Sequence, residues 1–258
     1  MSDTTSPIEI YSFIFDGGAY YQTSGLESVV YNSRQYDPVP LRRSTLEANI
    51  TEERTELKLQ TVRDNPVAEL FRVAPPSSTV SVSLYRGDGA AFTLAWTGRI
   101  LSCEWSGLEA VLFCEPVSTS LERSGLRRAY SRGCPHVLYG PSCRVSTGIH
   151  KVSTTATGTG TQIQVGSVGG QSDGYFDGGY LDYRHGSGIY DRRMILSQVG
   201  TTLTISYPIQ DLAGEVDIFP GCDHTTGANG CGKFSNLQNF GGFPFVPSKN
   251  PFGGNPIF

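Results

Sequence analysis

The sequence is poor in charge: 17% of its 258 residues are Asp, Glu, Lys or Arg, against about 25% in an average soluble domain. The charges nearly balance, leaving a formal net of -4, which excludes a globally basic nucleic-acid binder. Long apolar runs are missing too. No stretch approaches the ~20 residues that a helix needs to span a bilayer, so no membrane anchor is expected. The N-terminus, Met1-Ser2-Asp3-Thr4-Thr5-Ser6-Pro7, lacks the basic and apolar regions of a secretory signal. Folding in a cytoplasm is the expectation. There, six cysteines point to metal or redox chemistry before disulfides.

Catalytic signatures are also scarce. The sequence holds no H-E-x-x-H, no P-loop and no G-x-G-x-x-G fingerprint. A cysteine peptidase would need one activated thiol with a papain-like surround, which is absent. C-x-x-C is missing as well, and with it the tight knuckle of an ordinary zinc ribbon.

What is present is glycine (31), proline (15) and enough apolar material, 38% hydrophobic and 11% aromatic, to build a core rather than a disordered chain. The length suits one large domain or two modest ones. The fold expected is mainly β. A barrel-like N-terminal domain over residues 1–120 carries one short helix, and a loop-rich C-terminal domain over 121–258 is built around cysteines.

Period-2 alternation marks the N-terminal strands. These are Ile8–Phe15, Ala19–Tyr21, a hairpin at Ser28–Tyr31 and Arg34–Tyr36, and Thr55–Val62. Then come Thr79–Tyr85, Phe92–Arg99, Ile100–Trp105 and Ala110–Phe113. Asp64-Asn65-Pro66 opens a helix expected to run to Arg72, with Pro66 near its first position. A β-rich, Thr/Gly-rich stretch at about 145–218 shows Gln162–Val165, Met194–Leu196 and Thr202–Ser206 as its clearest strands. Residues 232–258 form a Gly/Pro/Phe tail without periodicity.

One internal echo stands out. Gly133-Cys134-Pro135-His136 leads to Cys143, and Gly221-Cys222-Asp223-His224 leads to Cys231; both read G-C-x-H-x6-C. Two copies of one loop suggest convergence on one site. Four soft ligands from such loops suit a tetrahedral metal or a cubane centre; two disulfides, or thiols that never meet, are the alternatives. Four thiolates around such a centre leave a charge near -2. Arg123, Arg127, Arg128, Arg132 and Arg144 could offset it, or form an interface instead. His136 and His224 could replace a ligand, donate to a sulfur, or simply pack. His150 and His185 belong to no constellation. Cys103 and Cys114 are expected to be small core residues.

These motifs resemble a known family. They are Arg132-Gly133-Cys134-Pro135-His136-x-Leu138-Tyr139-Gly140-x-x-Cys143 and Phe219-Pro220-Gly221-Cys222-Asp223-His224 through Cys231. Phe234-x-Asn236-x-x-Asn239-Phe240-x-Gly242-Phe243-Pro244-x-x-Pro247 follows. Softer matches are Pro66-Val67-Ala68, Tyr85-Arg86-Gly87-Asp88, Gly98-Arg99-Ile100 and Leu126-Arg127-Arg128. Together they resemble the tail-tip (baseplate) hub proteins of long-tailed phages and gene transfer agents.

The resemblance implies a structural, non-enzymatic virion protein at the tail tip, assembled in the host cytoplasm. It implies a homotrimeric ring between the distal tail protein and the central fibre or receptor-binding protein. The tape measure protein is a further neighbour, and DNA is met only in passage through the lumen. It also implies an iron–sulfur cluster, [4Fe-4S], on Cys134, Cys143, Cys222 and Cys231, with zinc as the alternative. From the residues themselves, His136, His224, Arg132 and Arg144 are the candidates to surround it. Phe240 and Phe243, inside the motif, are expected to fold back over the cluster region. Phe252 and Phe258, beyond it, are assigned to a neighbouring subunit. A metal- or redox-dependent tail enzyme, such as a cell-wall hydrolase, is the competing hypothesis.

Overall fold

The computed structural model describes residues 7–46, 56–88, 91–120, 125, 130–184 and 190–247. Arg123, Arg127, Arg128, His185, Phe252 and Phe258 lie outside the described residues. The chain divides into two compact units. One is built from residues up to Ser124, and the other from Gly125 onward, apart from a short stretch ending at Asp191 that groups with the first.

The first unit contains β1 (Ile8–Phe15), β2 (Gly18–Thr23), β3 (Val29–Tyr31), β4 (Arg34–Pro38), β5 (Leu41–Arg43) and β6 (Leu57–Val62). A one-turn helix, α1 (Pro66–Glu69), precedes β7 (Ser81–Gly87), β8 (Phe92–Ser106) and β9 (Glu109–Pro116). They form one nine-stranded sheet in the order β3-β4-β2-β1-β7-β8-β9-β6-β5. The alternation is obeyed closely: in β6, Leu57, Leu59 and Thr61 are buried while Lys58, Gln60 and Val62 face out. Asn32 and Ser33 both take positive φ, 50° and 60°, as a two-residue hairpin turn requires.

Three expectations need correction. First, Phe92–Arg99 and Ile100–Trp105 are one strand, β8. No turn residue separates them. Instead, register shifts against β7 and β9 leave Ala95 and Leu101 as extra residues that bend the strand. Second, α1 stops at Glu69. Asn65 caps it, accepting from the Val67 amide at 2.9 Å. The amides of Phe71 and Arg72 then bond three residues back, to Ala68 and Glu69, and this tighter turn returns Phe71 to the core.

Third, the sheet does not close as a barrel: among the described residues the ladder ends at β3 and β5. It curls nonetheless, because Tyr11 and Phe13 of β1, Leu41 of β5, Leu59 of β6 and Leu84 of β7 share one core. Side chains span the seam that the ladder leaves open. Glu9 of β1 accepts from Arg43 of β5 at 2.7 Å and from Arg86 of β7 at 2.9 Å. Cys114 is buried in this core and Cys103 packs against it. Burial pushes their thiols up to about 12 and about 11, as inert core cysteines.

The second unit contains α2 (Thr147–His150), β10 (Val152–Val165), β11 (Tyr180–Arg184), β12 (Tyr190–Val199) and β13 (Thr202–Phe219). The sheet order is β10-β13-β11-β12, and β12 also pairs with β13. Ile163, Phe176, Leu181, Ile195, Leu203 and Ile218 fill its core. β10 and β13 are longer than their apolar runs suggest. The Thr/Gly half of β10 buries little besides Ala156, so its period-2 signal is faint.

The register of this pair positions the cysteines. Val152, just after α2, pairs with Ile218, just before the end of β13. Chain leaving the Cys143 loop therefore returns to the same end of the sheet before reaching Cys222.

Candidate metal centre

The two G-C-x-H-x6-C loops meet. The Cys134 amide donates to the His224 carbonyl at 2.8 Å, and His224 Nδ1 lies 2.9 Å from the Cys134 carbonyl. A carbonyl oxygen only accepts, so Nδ1 of His224 carries the proton. His136 does the same elsewhere, its Nδ1 donating to the Asn239 carbonyl at 3.1 Å. Each histidine thus ties its loop to another segment through backbone, and neither imidazole donates to a sulfur among the described residues.

All six cysteines are free thiols, with Cys143 and Cys231 buried and Cys134 and Cys222 half-buried. Three of the four loop sulfurs accept from N–H groups. The Gly241 amide donates to Cys134 Sγ at 3.3 Å, the His224 amide to Cys222 Sγ at 3.4 Å, and Asn236 Nδ2 to Cys143 Sγ at 3.7 Å. Such donors stabilise a thiolate more than a thiol. Asn236 is itself buried, also donates to the Cys143 carbonyl at 2.7 Å, and accepts from Asn239 Nδ2 at 2.7 Å.

An apolar wall backs the thiols. Cys143, Val145 and Phe234 are buried together, with Leu138, Tyr139 and Cys222 against them. The Tyr139 ring sits edge-on to Phe219 and Phe234, and its hydroxyl donates to the Pro220 carbonyl at 2.7 Å. Gly221 allows the β13 exit to pass against the turn before β11: a Cβ there would lie 2.1 Å from the Asp177 carbonyl. Gly241 similarly makes room for His136, whose ring a Cβ would meet at 2.5 Å.

Burial pushes the Cys231 thiol up to about 11, with Cys222, Cys134 and Cys143 adding to the push. Cys222 is raised too, first by burial, against the pull of the His224 amide, with Asp223, Cys143 and Cys134 acting in the same direction as burial. Cys222 and Cys231, hindered in ionising by burial and by the neighbouring cysteines, belong to a donor set that a bound cation would convert to thiolates. The residues therefore fit a thiolate-bound metal group. Among the described residues, no three His, Cys, Asp or Glu side chains form a ready-made group for one metal ion.

Arg132 and Arg144 are exposed, and among the described residues neither donates to a sulfur. Arg144 has a positive φ of 61°, as do Tyr139 at 63° and His224 at 61°, so the loops hold backbone strain at the motif positions. His150 packs edge-on against Phe234, 5.0 Å between centroids. The tail folds back as expected for Phe243: its amide donates to the Ser131 carbonyl at 2.8 Å and its ring contacts Tyr130 at 4.8 Å. Phe245 is 96% exposed.

Two features escaped the sequence reading. Lys233 donates to the Gly221 carbonyl, next to Cys222, and its signal was only its place two residues after Cys231. Gly170-Gln171-Ser172-Asp173-Gly174 matches G-x-S-x-G by spacing. A nucleophile elbow needs a strand before the serine and a helix after it. Here Ser172 is exposed in a chain of turns leading to β11.

Residues 174–250 match the model of a family described as "Phage conserved hypothetical protein BR0599". That span includes the second cysteine pair, Lys233, Asn236 and the returning tail. A chain of the solved structure titled "Virion of native gene transfer agent (GTA) particle" has the same fold, with a TM-score of 0.79. The match covers 99% of this chain and 93% of that one, at 17% identity. No curated protein matches the chain.

Proposed function

We propose that this chain is a structural protein of a phage or gene transfer agent virion, a hub at the tail tip, whose second unit is cross-linked by an iron–sulfur cluster. The observation that carries the metal part is the meeting of two loops far apart in sequence, with N–H donors on three of the four sulfurs. The virion part is supported by the phage family model over residues 174–250 and by the fold shared with a GTA particle chain.

Cys134, Cys143, Cys222 and Cys231 would hold the cluster, [4Fe-4S] in the simplest case. Once bound it supplies four metal–thiolate bonds, and its binding free energy becomes folding free energy of the unit. On this reading the histidines and Asn236 orient the loops, and Phe234 and Tyr139 keep water away. The protein is not an enzyme. Its partners are two further copies in a ring, the distal tail protein, and the central fibre or receptor-binding protein, with the tape measure protein adjacent.

The deciding experiment is metal and acid-labile sulfide analysis, with a visible spectrum, on anaerobically purified protein. Iron and sulfide in equal amounts with a broad charge-transfer band are expected. One zinc per chain without sulfide overturns the cluster. A monomeric mass under assembly conditions overturns the ring.

A further inference from the structure

We propose that Lys233 is a positioning residue of the thiol centre: its ammonium clamps the Cys222 loop and offsets the charge of the four thiolates. This rests on the reading of Cys134, Cys143, Cys222 and Cys231 as cluster ligands. The turn that follows Cys231, with the Lys233 amide bonded to the Gly230 carbonyl at 3.1 Å, swings the side chain inward. Nζ donates to the Gly221 carbonyl at 2.9 Å and to the Tyr175 carbonyl at 2.8 Å. It also lies 4.9 Å from the Tyr175 ring centroid and 5.9 Å from that of Phe234.

One ammonium thus joins three segments: the turn after Cys231, the residue before Cys222, and the turn before β11. Holding an ammonium half-buried on two neutral carbonyls is unfavourable relative to water unless negative charge is nearby. The negative groups it faces are Cys222, Asp223 and Asp177. The carboxylates are occupied locally: Asp223 accepts from the Thr225 amide and hydroxyl, both at 2.8 Å, and Asp177 from the Gln198 amide at 2.7 Å. Among the described residues no carboxylate lies within ion-pair distance of Nζ. The ammonium holds the residue next to Cys222, so a thiolate centre there, with an expected charge near -2, would add its field to that of the two carboxylates. Lys233 takes the place in which the sequence suggested Arg132 and Arg144.

The test loads the full chain and its Lys233→Met, Lys233→Gln and Lys233→Arg variants with iron and sulfide. Iron and sulfide per chain, the rate of iron loss to a chelator, and the reduction midpoint are then measured. A cation beside the centre favours the reduced, more negative state. Lys233→Met and Lys233→Gln should lower the midpoint by about 59 mV, a tenfold change for a one-electron couple, and lose iron faster. Lys233→Arg should stay near the wild type. A lysine that only packs would alter thermal stability and leave the midpoint unmoved. Equal midpoints in all loaded proteins therefore overturn the proposal and leave the ligand reading intact. If Lys233→Met does not fold, the Gln and Arg variants carry the same comparison. A wild-type chain that takes up no iron and sulfide overturns the ligand reading, and this proposal with it.

Discussion

Cys134 and His224 exchange two hydrogen bonds across the centre, amide to carbonyl at 2.8 Å and imidazole Nδ1 to carbonyl at 2.9 Å. The backbone bond survives any side-chain change, so His224→Ala isolates the imidazole's share. An exposed hydrogen bond of this kind contributes roughly 0.5–1.5 kcal/mol. The second unit should melt earlier by that amount and release its metal faster, while the first unit is unaffected. A calorimetric scan resolving the two units measures both effects.

Cys222→Ser should cost far more, because it removes one of the bonds that join the loops. Metal binding and folding are one equilibrium in such a site. Hydrogen-exchange protection from Cys134 to Phe245 should fall, while β1 and β6–β9 keep theirs, since their core contains none of the four ligands. Unchanged protection across the second unit would mean that the centre does not hold it together.

Acid should weaken the first unit through Glu9. Burial pushes the Glu9 carboxyl up, but hydrogen bonds from Arg43, Arg86 and Tyr11 outweigh it and hold the group below the usual carboxylate value. The folded value lies below the unfolded one. Its contribution is therefore complete above the usual carboxylate range and is lost as pH falls through the folded value. Glu9→Gln should flatten that part of the stability–pH curve and cost roughly 1–3 kcal/mol at neutral pH. Denaturant midpoints between pH 3 and 7 would show it, and parallel curves for the two proteins would exclude Glu9 as the seam's lock.

Two truncations separate the roles of the tail. Removing Asn250–Phe258 should leave a folded, metal-bearing protein that assembles poorly into tails. Removing everything from Phe240 onward also deletes the Gly241 amide on Cys134 Sγ and the Phe243 amide on the Ser131 carbonyl, and should lower iron retention. Iron content and particle yield of the two truncations distinguish them. Normal infectivity of the shorter deletion would remove the last residues from any interface.

The strands that could be read in advance were those with one buried face. Leu57–Val62, with its alternating burial, lies within the predicted Thr55–Val62, and Asn65-Pro66 opens a helix as the cap rules require. What could not be read depends on distant partners. The expected break between Arg99 and Ile100 is continuous strand, and its bulges, at Ala95 and Leu101, are visible only against β7 and β9. The Thr/Gly half of β10 is a strand because β13 pairs with it. The echo of the two cysteine loops pointed to segments that the Cys134–His224 bonds do join, but the N–H donors on the sulfurs come from backbone and from Asn236, which residue spacing does not reveal.

The Val152–Ile218 pairing has a consequence for how this protein can vary. The excursion between the two cysteine loops stands on two adjacent feet, and the turn before β11 is tied to the same base through Lys233 and the Tyr175 carbonyl. Its far turns can lengthen, shorten or change composition at small entropic cost without moving Cys143 or Cys222. Related chains could therefore decorate or trim the far turns of this arm freely while the base that carries the two cysteine loops stays as it is.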